Sequence, residues 1–113
     1  MTAVEPRARA EFARRLDALY RCAGRPTLEG VAAAARERTR AARCRHDHGA
    51  VRLQRISDWR RGVCVPARFE TFLPVLLTLI DRARACGQPV PAELTDLAAW
   101  RRVWQDTGAR ATT

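Results

Sequence analysis

The sequence predicts an all-α domain of five helices, and three observations carry that expectation. Apolar residues recur three and four positions apart through several long stretches, as one buried helix face requires. Glycine and proline fall between those stretches, at "GRPT" (24–27), at Gly62 and at "GQPVP" (87–91), where helices stop. No stretch offers a convincing strand pattern. At 113 residues the chain is long enough for one helical core and too short for two.

The first helix covers 5–23, where Phe12, Leu16, Leu19, Tyr20 and Ala23 make one apolar stripe while Arg9, Arg14, Arg15 and Asp17 face out. Gly24 suits the left-handed position that closes a helix, and Pro26 blocks continuation. Thr27 is then the natural N-cap of a second helix, with Glu29 in its first turn. That helix starts near Leu28 and runs through "LEGVAAAARERTRAAR". Leu28, Val31, Ala32 and Ala35 form a narrow face of mostly small residues that permits close approach of a neighbour.

"CRHDHG" (44–49) interrupts the pattern, which resumes over 51–61 with Val51 or Leu53, Ile56 and Trp59 inward and ends at Gly62. "VCVP" is an extended connector, because Pro66 biases Val65 away from helix. The next helix, 67–86, is apolar around much of its circumference through Phe69, Phe72, Leu73, Leu76, Leu77 and Ile80, which marks it as the central helix. Pro74 either kinks it or moves its start to near Phe72. A last amphipathic helix, 93–106, carries Leu94, Leu97, Trp100 and Trp104. The expected organisation is a single domain over 5–106, its first four helices lying within about 8–86, with residues 1–4 and 107–113 as flexible tails.

Net charge is +9, and all 21 basic residues are arginine. An alanine- and arginine-rich, lysine-free composition follows from GC-rich coding, so placement says more than the total. Residues 36–61 hold nine arginines against Glu37, Asp47 and Asp58, which concentrates six of the nine net charges around the third helix. Such a field fits a polyanion. Cys22, Cys44, Cys64 and Cys86 include no C-x-x-C pair, and no apolar leader-like segment precedes them, so they read as reduced thiols of a cytoplasmic protein. The most apolar run, "FLPVLLTLI" (72–80), is too short to span a bilayer, and no membrane partner is expected.

"TLEGVA" (27–32), "QRISDWRRGVCVP" (54–66) and the apolar helix that follows resemble the lambda-repressor-like helix-turn-helix family, also called the XRE or Cro/C1 type. The pattern Ile-Ser-x-Trp-x-x-Gly-x-x-x-Pro carries the resemblance. With "VPARFE", "LPVLL" and the terminal Trp-x-x-x-Trp, the chain is similar in particular to helix-turn-helix modules at the front of multidomain proteins of actinomycete-type bacteria. The resemblance implies a five-helix domain that binds double-stranded DNA as a transcriptional regulator or DNA-targeting module, nucleoid-associated. It implies base contacts at Arg52, Leu53, Gln54, Arg55 and Asp58, and a packing role for Ala32. A second copy of the chain, further domains or partner proteins are its other implied partners. Two departures stand out: Leu28 follows the N-cap where the family commonly has a polar residue, and "RERTRAARCRHDHG" adds 14 residues that extend the connection from helix two to helix three.

The residues themselves support a reading helix. Ile56 and Trp59 anchor it, while Arg52, Gln54, Arg55 and Asp58 lie near its exposed N-terminal half, where arginine suits guanine and glutamine suits adenine. Arg45, Arg60, Arg61 and Arg68 are the expected phosphate contacts. Asp58 repels phosphate, so it serves as a base-reading acceptor or as an internal partner for a nearby arginine. No metal is expected; Cys44, His46 and His48 with distant Cys64 form the alternative zinc set, against which stands the lack of a C-x-x-C knuckle. No nucleophile motif or glycine-rich phosphate loop is present, so neither catalysis nor a cofactor is expected. The rival function is a non-enzymatic adaptor of the same fold, its arginines engaging an acidic partner and Trp100 and Trp104 docking a neighbour.

Overall fold

The computed structural model describes residues 6–41 and 52–108. Within them the chain forms six helices and no strand: α1 (Pro6–Cys22), α2 (Leu28–Ala41), α3 (Leu53–Arg61), α4 (Phe69–Ala85), α5 (Ala92–Thr95) and α6 (Leu97–Asp106). One core gathers buried side chains from all six.

The stripe expected on α1 is the one that is buried, from Phe12 through Ala23. Gly24 closes the helix at φ 84°, and Arg25 is also left-handed at φ 53°. Thr27 caps α2 by accepting the Gly30 amide on Oγ1 at 3.0 Å. Val31, Ala32 and Ala35 are buried as their small size requires, bringing α2 against α4 and α3. The first part of the arginine-rich insertion, residues 36–41, continues α2 as helix. There Arg38 crosses to α4: Nε donates to Thr78 Oγ1 at 3.1 Å and Nη2 pairs with Asp81.

α4 is the central helix, with Phe72, Val75, Leu76, Leu79 and Ala83 fully buried. It starts at Phe69, so Pro74 lies inside it and does not mark its start; Thr78 Oγ1 donates back to the Pro74 carbonyl at 2.8 Å. Phe72 is the aromatic hub, its ring 5.1 Å from that of Phe12, 5.7 Å from Trp59, 5.9 Å from Phe69 and 5.6 Å from Trp100. One residue of α4 thereby ties α1, α3 and α6 together.

The single last helix expected from sequence is two. Asp96 takes an extended backbone and caps α6, accepting the amides of Ala98 and Ala99 on its carboxylate. The break leaves the Leu94 carbonyl to the Trp100 indole, which donates to it at 2.8 Å. Thr107 departs from the expected flexible tail: it is fully buried, and its hydroxyl donates to the Trp104 carbonyl at 2.6 Å.

Candidate nucleic-acid interface

α3 is short, and its inner edge is fixed by two residues. Ile56 and Trp59 are buried, and the Trp59 ring meets Phe72 edge-to-face. Leu53, one of two residues expected to join them, is instead exposed, and Val51 lies outside the described residues. At the other end Gly62 turns left-handed at φ 77°, and the amides of Gly62 and Val63 return to the carbonyls of Trp59 and Asp58. The connector leaves from there.

Arg60 comes four residues after Ile56 and therefore lies beside the anchoring edge. Its Nη2 donates to Asp17 Oδ1 at 2.9 Å, and its guanidinium carbon sits 3.9 Å from the centroid of the Tyr20 ring. Tyr20 is itself fixed by donating its hydroxyl to the Pro26 carbonyl. Arg60, one of the expected phosphate contacts, thus directs its charge to α1 in this structure. The bond from Arg60, with Arg21 at 2.9 Å adding to it, holds the Asp17 carboxyl below its ordinary range.

The outward stripe of α3 holds Gln54, Asp58 and Arg61, spaced i, i+4, i+7. Gln54 Nε2 donates to Asp58 Oδ1 at 3.0 Å, and Arg61 Nη2 donates to the same oxygen at 3.2 Å. Asp58 therefore takes the internal-partner role, one of the two expected of it. Arg52 and Arg55 flank the stripe, both exposed and, among the described residues, in no ion pair. Arg68 is exposed at the N-cap of α4. The structure thus brings Gln54, Asp58 and Arg61 into one bonded group beside Arg52 and Arg55, and it turns Arg60 away. Arg45 lies outside the described residues.

Of the alternative zinc set, Cys44, His46 and His48 also lie outside the described residues. Cys64 is half-buried against the core, and among the described residues no three metal-competent side chains gather. Cys22, Cys64 and Cys86 are free thiols.

Trp100 and Trp104 are buried, and both indoles donate within the protein, Trp104 to the Pro66 carbonyl at 2.8 Å. That overturns their use as a docking surface. Trp104 instead holds the connector that leads out of α3. Sequence reasoning missed Asp17 and Tyr20 as the seat of Arg60; the available signal was the position of Arg60 on the anchoring edge of its own helix. No helix among the described residues is long and apolar enough to cross a membrane. The chain matches no protein-family model, no curated protein and no solved structure.

Proposed function

We propose that this chain is a double-stranded DNA-binding module of the lambda-repressor-like helix-turn-helix type, a transcriptional regulator or DNA-targeting unit that lays α3 in the major groove. The observation that carries the reading is the division of α3 between a buried edge, Ile56 and Trp59, and an exposed one bearing Arg52, Gln54, Arg55 and Arg61. A helix is about 10–12 Å across with its side chains, and the major groove is about 12 Å wide, so α3 can lie along it. Arginine and glutamine at its exposed edge supply the paired donors and acceptors that base edges ask for.

The packing favours a rigid presentation. α2 and α3 pack on each other and on the core, Arg60 ties α3 to α1, and Trp104 ties its exit to α6. Preorganised side chains lose less entropy on binding. A cytoplasmic, nucleoid-associated location and pairing of two copies on two half-sites belong to the same proposal.

Fluorescence anisotropy with random duplex DNA across a salt series tests it. Binding that weakens steeply and log-linearly with salt is expected, about 0.9 in slope for each phosphate neutralised. No binding even at low salt would remove the DNA reading and leave the adaptor.

A further inference from the structure

We infer that Asp58 is a positioning residue, and that its hold on Gln54 makes the outward face of α3 select adenine in the major groove. The inference rests on the DNA-binding reading above and goes on to name the base.

The Gln54 amide carries two hydrogens on Nε2, and one of them is taken by Asp58 Oδ1 at 3.0 Å. A carboxylate accepts and cannot donate, so the amide is oriented with its nitrogen toward Asp58 and its oxygen away. One N–H and the Oε1 acceptor are left for a ligand. Adenine presents an acceptor, N7, beside a donor, the N6 amino group, and meets that pair directly. Guanine presents two acceptors, N7 and O6. To satisfy both, Gln54 needs both amide hydrogens, one of which Asp58 holds. Its oxygen and the Asp58 carboxylate repel O6 as well.

Arg61 is the member of the stripe suited to guanine, since its guanidinium can donate twice in parallel. Its Nη2, however, donates to the same Asp58 oxygen at 3.2 Å. A single acceptor therefore restrains two donors, one helical turn before it and one after. The negative charge of Asp58 also opposes Arg61 in attracting phosphate, which lowers affinity for all sequences alike and leaves the discrimination between bases unchanged.

The test is selection from a randomised duplex library, followed by anisotropy on the selected site and its single-base variants, with wild type, Gln54→Ala, Asp58→Ala and Asp58→Asn. Thermal melts by circular dichroism establish that each variant is folded. Wild type is expected to prefer adenine at one position by about tenfold or more, and Gln54→Ala and Asp58→Ala both to reduce that preference to within about twofold. Asp58→Ala should at the same time bind every duplex more tightly with a steeper salt dependence. Asp58→Asn keeps an oxygen for Gln54 and loses the charge, so it should retain the adenine preference while binding all duplexes more tightly. An adenine preference that survives Asp58→Ala, or a wild-type preference for guanine that depends on Gln54, overturns the inference and leaves DNA binding intact. Failure of wild type to bind any duplex at low salt overturns the DNA reading itself.

Discussion

Arg60 and Tyr20 are stacked, the guanidinium carbon 3.9 Å from the ring centroid, while Arg60 Nη2 donates to Asp17 Oδ1 at 2.9 Å. The contact joins α1 to α3 across 43 positions of sequence for the ion pair, and both of its charged partners are about two-thirds covered. It is therefore less screened than well-exposed pairs such as Arg40–Glu37.

Replacing Arg60 by alanine removes the stacking and the ion pair together. The expected loss is about 1–2 kcal/mol of unfolding free energy, or a fall of roughly 5–10 °C in melting temperature. Arg60→Lys keeps the charge near Asp17 and loses the planar face, so it should recover about half. Calorimetry or thermal circular dichroism decides it. Wild-type stability in Arg60→Ala would mean that the pair contributes nothing.

Acid should act through the same helix. Arg60, with help from Arg21, depresses the Asp17 carboxyl, and Arg14 and Arg15 hold Glu11 down to about 2. Because both folded-state values lie below the ordinary ones, their contribution is fully present above the unfolded values and is lost as pH falls through the folded ones. Urea midpoints should show no carboxylate-linked loss between pH 7 and 5 and should fall between about pH 4 and 2. Asp17→Asn should lower the neutral midpoint and flatten that decline. An equally steep decline in the variant would assign the acid sensitivity elsewhere.

How much of this was legible in sequence depends on how local each cause is. The α1 stripe, the Thr27 cap, the Gly62 stop and the central helix all follow from spacing within a few residues, and all are found where the spacing put them. The break at Asp96 was hidden because Leu94, Leu97, Trp100 and Trp104 keep helical spacing across it; only the capping carboxylate marks it, and a short polar residue inside an apolar pattern is easily passed over. Arg60 and Arg61 look alike in sequence. Their destinations differ because one faces Asp17 on a distant helix and the other Asp58 on its own, and only the second partner lies within reach of a local pattern.

Trp104 supplies a third test. Its indole N–H reaches the Pro66 carbonyl at 2.8 Å, and its ring packs 5.7 Å from Phe69, so α6 restrains the end of the connector that enters α4. Trp104→Phe removes the bond and a little volume and should cost about 1–2 kcal/mol, whereas Trp104→Ala empties the site and should cost about 3–5. Chemical denaturation measures both. If phenylalanine costs as much as alanine, the hydrogen bond dominates and the packing account is wrong.

The adjacent arginines give the sharpest contrast for the proposed function. Arg61→Ala removes an exposed charge at the end of α3 and should weaken binding to all duplexes alike, flattening the salt slope by about one if the side chain meets a phosphate. Arg55→Ala should instead reduce the difference between sequences, by about 1–3 kcal/mol for a lost paired contact, because its side chain lies beside the stripe proposed to read bases. Arg60→Ala should leave affinity per folded molecule nearly unchanged and show itself in stability, since its charge is already held by Asp17. Anisotropy at matched salt, corrected for the folded fraction, separates the three. Arg60→Ala weakening DNA binding as strongly as Arg61→Ala in a fully folded sample would mean that the Asp17 pair opens on DNA and that both arginines hold phosphate.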